Sequence, residues 1–486
     1  MADRKPLSRR NFLKSSAAAT AGLAWTAKSR AQVSGANERV RLGLIGCGSR
    51  GGKLARNFGE LGEVDLVALS DADRERMETL PLPEGALPQV HQDYRRLLDD
   101  PTIDAVVIAT PNHWHALMGI QGLDAGKHVH VEKPLSHSIW EGRQLVNFAA
   151  QSQLVAMTGT QHRSDPGIRA AAESIQRGDL GAVQFIHSMH FSVRNPIQAA
   201  SAPREAPATC DEELWAGPAP LVGTTHRERF HYDWHWFWNW GNGEMGNWGP
   251  HRSDDIRHLL GWEAPAVPDN VISLGGRYLW QDGGETANMQ LAYFDYQGLP
   301  VVFEVRNLPR AAGQNAPGSM RGTRSANFVQ CEGGSYVIGR SGGRSFDLEG
   351  QPVGEFKGNG GQPHFGNFIA AIKGEASALT ASMEAGHHGA NLCHVSNISY
   401  RLGMEMDREE AESHFQANQA LVESLQSFLG QIEANGVDLA SEGIRVGPSL
   451  RFDPQKEMFV GPLAERANQL VKGSYRPGFV VPETGA

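Results

Sequence analysis

An apolar run from Val40 to Ile45 opens directly into Gly46-Cys47-Gly48-Ser49-Arg50-Gly51. Glycines at that spacing, behind a strand and ahead of a helical stretch, leave few folds open. The first permits a tight turn, the second lets a pyrophosphate approach the backbone, and the third lets the helix pack closely on the strand. The helix N-terminus adds unpaired amides and a positive dipole end suited to phosphate. Alone the pattern is weak in a chain holding 56 glycines in 486 residues, so the flanking sequence has to decide.

The flanks alternate strand and helix. Apolar runs at Val64 to Leu69, Ala105 to Ala109, His128 to Val131 and Leu154 to Thr158 are separated by helical stretches at Gly51 to Phe58, Ala116 to Ala125 and Ile139 to Ala150. That spacing predicts a parallel, doubly wound α/β sheet, a Rossmann domain over residues 39–158. Asp71 closes the second strand, 20 residues after Gly51. A carboxylate there accepts hydrogen bonds from ribose hydroxyls and repels a 2′-phosphate, which favours NAD. Arg74 and Arg76 stand close by and keep NADP open as the alternative. Asp71 can also be read as a helix N-cap.

Beyond residue 160 the strands lengthen and the helices thin out. Val183 to Phe191, Asn270 to Trp280, Ala287 to Tyr293 and Val301 to Arg306 read as strands, with a hairpin turn at Gln297-Gly298. We expect a second, α+β domain over 159–400 with an open, mostly antiparallel sheet. Residues 401–486 read as an extension carrying a helical surface insertion at Glu409 to Asn435.

The N-terminus is read as a targeting segment. Arg9-Arg10 precede Phe12-Leu13-Lys14, a weakly apolar run and Ser29-Arg30-Ala31. That is the layout of a twin-arginine export signal over residues 1–31, followed by a linker over 32–38, which implies a periplasmic or otherwise exported protein. No stretch reaches the roughly 20 apolar residues of a membrane span. A formal net charge of −9 argues against a nucleic-acid partner.

Two further segments carry a family resemblance. Asp104 to His115 reads DAVVIATPNHWH, and Gly126 to Pro134 reads GKHVHVEKP. At this spacing behind the glycine turn, the chain resembles the Gfo/Idh/MocA family of oxidoreductases over roughly residues 38 to 400. The resemblance implies substrate held between the two domains against a nicotinamide, and subunits paired through the open sheet as a homo-oligomer. It implies cofactor contacts from Gly46, Gly48, Ser49, Arg50, Gly51, Asp71, Thr110, Pro111, Asn112, His115, Glu132, Lys133 and Gln161. It makes Lys133 a catalytic lysine: an ammonium there stabilises developing alkoxide charge.

Gly243 to Asp255 reads GEMGNWGPHRSDD and resembles the family segment that supplies a general acid/base. His251 matches the family's histidine and Asp254 its last aspartate; Asp254 or Asp255 is expected to orient the imidazole. Where many members carry a first aspartate, this chain has Asn247, which can hydrogen-bond but cannot carry a proton.

Trp234, Trp236, Trp238, Trp240 and Trp248 crowd the approach to His251, with Tyr232 among them. Flat aromatic faces stack on sugar C–H surfaces. Trp248, Trp240 and Tyr232 are therefore expected to contact a carbohydrate or polyol, and the resemblance adds Asn247 and Arg163. His113-Trp114-His115 has a metal-like spacing, but no further ligands accompany it and no metal is assigned. Redox chemistry on a sugar, redox-assisted glycoside cleavage and a non-catalytic dinucleotide-binding protein all remain open at this point.

Overall fold

The computed structural model describes residues 39–197, 205–221, 229–262, 268–376, 378–415 and 419–484. The export signal and linker lie outside them. Strands β1 (Val40–Ile45), β2 (Val64–Ser70), β3 (Gln89–His91), β4 (Ala105–Ile108), β5 (His128–Val131) and β6 (Ala156–Thr158) form one sheet in the order β3-β2-β1-β4-β5-β6. Every neighbouring pair is parallel. Strands β4, β5 and β6 are buried along their whole length, as a sheet covered on both faces requires. Helices α1 (Ser49–Gly59), α2 (Asn112–Asp124) and α3 (Ile139–Gln151) provide cover. The strand order reverses between β1 and β4, which opens a crevice at their C-terminal ends.

Helix α4 (Pro166–Arg177) is capped by Asp165, whose carboxylate accepts from the Ile168 amide. It leads into a second sheet of ten strands. In chain order these are β7 (Val183–Phe191), β8 (Asn270–Gly276), β9 (Met289–Tyr296), β10 (Leu299–Arg306), β11 (Ser325–Cys331), β12 (Gly334–Gly339), β13 (Gly342–Phe346), β14 (Pro352–Lys357), β15 (Met404–Met406) and β16 (Ile444–Val446). Their order is β14-β13-β12-β11-β7-β10-β9-β8-β16-β15. Only β7 and β10 pair in parallel. The expected hairpin forms at Gln297-Gly298, both in the left-handed region with φ of 55° and 91°. The meander β11–β14 escapes the sequence reading because its glycines and polar residues blur the alternation.

One face of this sheet packs on α5 (Gly243–Leu259) and α7 (Met383–Arg401), through Met245, Ile256, Leu392 and Val395 against Ile186, Phe294 and Phe303. Helix α6 (Pro363–Ile372) packs instead on α1. The other sheet face corrects the sequence reading. Residues 419–434 are no surface insertion. They form α8 (Gln419–Ala434), which lays Leu421, Leu425, Phe428, Leu429 and Ile432 onto Phe185, Met189, Leu291 and Val302. Positions four and three apart share a helix face, so one apolar stripe covers the sheet. That stripe occupies the face through which the resemblance implied subunit pairing.

The expected boundary at residue 400 also moves, because β15 and β16 complete the sheet edge beside β8. The tail then returns to the first domain. Tyr475 Oη donates to Glu141 at 3.0 Å, and the Thr484 amide to Gln144 at 2.8 Å.

Candidate active site

A cleft runs along the C-terminal ends of the parallel strands and is closed on the far side by the start of α5 and by residues 231–235. At one end sits the glycine turn. Gly46 has φ of +94°, and a Cβ there would meet the Ala109 carbonyl oxygen at 2.6 Å. A Cβ on Gly51 would fall 1.9 Å from the Gly46 oxygen, so this glycine serves helix packing and does not itself line the cleft. Gly48 differs: nothing lies within 4 Å of its Cβ position. No side chain caps α1, and no acid stands in its first turn. The amides behind Gly48 thus face open space beside Ser49 and Arg50, which is a cradle for an anion.

Asp71 faces the same end. Its Oδ2 accepts from the Cys47 amide at 2.7 Å and its Oδ1 from the Asp73 amide at 2.9 Å. Burial pushes its pKa up to about 6. Asp73, not Asp71, is the N-cap of the following short helix. Each Asp71 oxygen keeps a lone pair for a ligand hydroxyl. Arg76 lines the cleft alongside it, whereas Arg74 does not.

Midway, Arg50 reaches Glu132, with Nη2 2.6 Å and Nε 2.7 Å from Oε1. The pair ties the glycine-turn helix to the loop after β5. Thr110, Pro111, Asn112 and His115 line the floor. His115 brackets that floor, its ring nitrogens 2.6 Å from the Pro134 carbonyl and 2.8 Å from the Thr110 carbonyl. Thr110 Oγ1, Gln161 Oε1 and His251 Nδ1 are buried without a hydrogen-bond partner. All three belong to residues lining this cleft.

Lys133 is the pivot of the other end. Its Nζ donates to the Asn247 carbonyl at 2.8 Å and to Asn247 Oδ1 at 3.1 Å. Desolvation lowers its pKa to about 8, against the pull of Glu132. Asn247 Nδ2 in turn donates to Glu244 Oε2 at 3.4 Å, and Glu244 Oε1 accepts from Arg194 at 2.8 Å. Arg194 also donates to Tyr232 Oη at 2.8 Å. The amide at 247 can accept from Lys133 and donate to Glu244 together. An aspartate would set two carboxylates side by side and hold Lys133 protonated.

The aspartates of α5 depart from expectation. Neither is hydrogen-bonded to His251. Asp254 is fully buried and takes Arg163 Nε at 2.7 Å. Asp255 takes His162 Nδ1, 3.1 Å from both of its oxygens. Asp254 and Arg163 therefore form a buried ion pair behind the wall instead of meeting substrate. His162 lines the cleft, and its ring stacks on His251 with centroids 4.7 Å apart. Burial, the neighbouring imidazole and nearby cations push the His251 pKa well below the usual histidine range. It is therefore a neutral imidazole at neutral pH. Sequence reasoning missed His162 because only the fold brings the start of α5 beside the turn after β6.

The tryptophan segment divides its rings between the cleft and the interior. Asp233–Trp236 is a 3-10 turn. Trp234 and Tyr232 line the cleft together with His231 and His235. Trp240 does not. It packs at 5.5 Å on Trp215 and 5.4 Å on Phe237 inside a closed aromatic cluster. Trp248 does line the cleft, stacked at 3.8 Å on His190.

Away from the cleft, His387, His388 and Glu457 bring ligand atoms within 4.8 Å of one another. Arg143 lies among them, 2.8 Å from Glu457 and 2.9 Å from Glu384, so a guanidinium already supplies the positive charge.

Residues 40–160 match the family model described as an oxidoreductase family with an NAD-binding Rossmann fold, and residues 190–273 match the family's C-terminal alpha/beta domain. Over these two stretches the chain matches the Gfo/Idh/MocA oxidoreductase family. Residues 6–24 match the signal sequence of the twin-arginine translocation pathway. Among curated relatives, an inositol 2-dehydrogenase of Saccharopolyspora erythraea is 30% identical over 157 residues, covering 32% of this chain and 47% of that protein. A glycosyl hydrolase family 109 protein of Shewanella pealeana is 36% identical over 124 residues, covering 24% and 27%. The matched region spans less than half the length of these curated relatives.

Two solved structures have the same fold. An oxidoreductase from Thermotoga maritima aligns with a TM-score of 0.56 at 16% identity, over 74% of this chain and 96% of that one. The WlbA dehydrogenase of Bordetella pertussis, solved with NADH and UDP-GlcNAcA, aligns at 0.55 and 17%, over 74% and 96%. Among the described residues, no helix is long and apolar enough to cross a membrane.

Proposed function

We propose that this protein is an exported NAD(P)-dependent oxidoreductase acting on a sugar, glycoside or polyol, with Lys133 exchanging the proton of the reacting hydroxyl. The observation that carries this reading is the Lys133–Asn247 contact. A neutral amine has two N–H bonds and one lone pair. The two Asn247 oxygens take both N–H groups, which leaves the lone pair for a substrate hydroxyl.

The residues present fit a dinucleotide: an uncapped helix start behind Gly48, a carboxylate with spare lone pairs at Asp71, and unpartnered atoms at Thr110 and Gln161. When bound, the dinucleotide supplies a nicotinamide that exchanges a hydride with a substrate carbon. Asp71 favours NAD, while Arg76 leaves room for a 2′-phosphate. Lys133 accepts the hydroxyl proton in oxidation and returns it in reduction. Below about pH 8 it is an ammonium and cannot accept, so oxidation rises through that pH and reduction falls. Trp248, Trp234 and Tyr232 offer aromatic faces to a carbohydrate, and His251 a neutral hydrogen-bonding imidazole.

Match to an export signal supports a cofactor loaded before transport and then held and reset within one site. The test is absorbance of the purified full chain, loaded with NAD, on addition of free sugars or inositols. Reduction of the bound nicotinamide supports the reading; none with any of them contradicts it. A second reading, glycoside cleavage through transient oxidation, is favoured by the His162–Asp255 pair, which adds another imidazole to the same wall. It predicts aryl alcohol release from aryl glycosides with no net change in nicotinamide absorbance.

A further inference from the structure

Behind α2, on the side away from the cofactor end, lies a cavity of about 340 Å³. Its walls come from the start of α3, the end of α7, residues 218–220 and 238–242, and the returning tail at 469–475. The volume falls within the range of small-molecule sites, about 300–1,000 Å³. We propose that this cavity is a second binding site, for a polyhydroxylated ligand such as a sugar or polyol.

The argument turns on His394, a buried residue of α7 lining the cavity. One face of its ring chemistry is settled by the Ser136 carbonyl, a backbone acceptor. Its Nε2 is buried and has no partner. Burial holds the imidazole neutral, with a pKa near 3. A neutral ring that donates one N–H to a carbonyl presents a bare lone pair at the other nitrogen. A ligand group that meets this nitrogen has to donate a hydrogen bond, which a simple anion cannot do.

The mouth demands the opposite. Arg401 lines it, its guanidinium 5.0 Å from the centre of the Trp238 ring, and a guanidinium only donates. A hydroxyl does both jobs. Glu141, deeper in the wall, accepts from Tyr475 Oη at 3.0 Å and from the His137 amide at 3.1 Å. It adds a carboxyl that can meet further hydroxyls. Trp238 and Tyr475 contribute aromatic surface suited to sugar C–H faces. The cavity is coupled to the cofactor helix, since Asn242 on its wall accepts from Asn112 at 3.0 Å and donates to the His137 carbonyl at 3.0 Å.

The test is calorimetric titration of the full chain, saturated with NAD, with D-glucose, N-acetylglucosamine and myo-inositol in turn. Three proteins are compared: wild type, His394→Leu and Arg401→Gln. The proposal expects saturable binding of at least one probe that weakens roughly tenfold or more in each variant, the loss of a hydrogen bond in a desolvated site. Arg401 lies at the mouth, so its variant stays informative if the His394 variant fails to fold. A Trp248→Ala protein separates the two sites: cavity binding persists there, while cleft binding weakens. No saturable binding of any probe in wild type overturns the proposal. So does binding unchanged in both cavity variants, even where bound nicotinamide is still reduced.

Discussion

The two ends of the cleft are built from different materials. The cofactor end is backbone: a turn, a helix start and strand termini, drawn from stretches contiguous in sequence. The substrate end is side chains from separated segments, joined as Lys133–Asn247–Glu244–Arg194–Tyr232 and as His162–Asp255. Backbone geometry is dictated locally, because a glycine is needed wherever a Cβ would strike a carbonyl. Side-chain pairing is decided by which elements the fold brings together.

Four substitutions sharpen or break that contrast. Gly51→Val should have the largest effect, since its Cβ would sit 1.9 Å from the Gly46 oxygen. We expect loss of retained nucleotide and a stability loss of about 3–5 kcal/mol in denaturant titration. Lys133→Ala should keep nucleotide yet lower turnover by about 10²–10⁴-fold. Retained nucleotide with normal turnover would remove the lysine from the chemistry.

Asp254→Asn should act on stability first. It takes the Asp254 carboxylate away from the buried Arg163 guanidinium, at a cost of about 3–5 kcal/mol, while the pH profile of the remaining activity stays in place. A shifted profile without destabilisation would return Asp254 to the reacting centre. Asn247→Asp should be mildest in stability and most specific. A carboxylate at 247, added to those of Glu132 and Glu244, raises the Lys133 pKa, so the rising limb of oxidation moves upward from about 8 by roughly one unit. An unmoved limb would break the link between these two residues.

The cofactor end was legible in the sequence. A Cβ at Gly46 or Gly51 would strike backbone, Gly48 borders open space, and Asp71 lines the cleft. At the other end, Lys133 and Asn247 were legible through a resemblance, Trp248 and Tyr232 through the crowding of aromatic residues, and all four line the cleft. Asp254, Arg163 and Trp240 were not. Helical spacing put Asp254 and Asp255 near His251 but could not say that Arg163 and His162 would claim them. The Trp240 ring was lost to an aromatic cluster that includes Trp215, 25 residues away in sequence and unforeseeable from local pattern. The helical character of α8 was legible, but it was read as a surface insertion, because its destination on the sheet required the tertiary fold.

Most of the account rests on the state of one amine. The direct measurement is an NMR titration of the full chain with isotopically labelled lysine, with and without NAD, following the Lys133 side-chain signal. A midpoint near pH 8 and a clear shift when NAD is added are predicted. A midpoint at the ordinary lysine value near 10.5, unmoved by NAD, would contradict both the proton-accepting lysine and its place beside a nicotinamide.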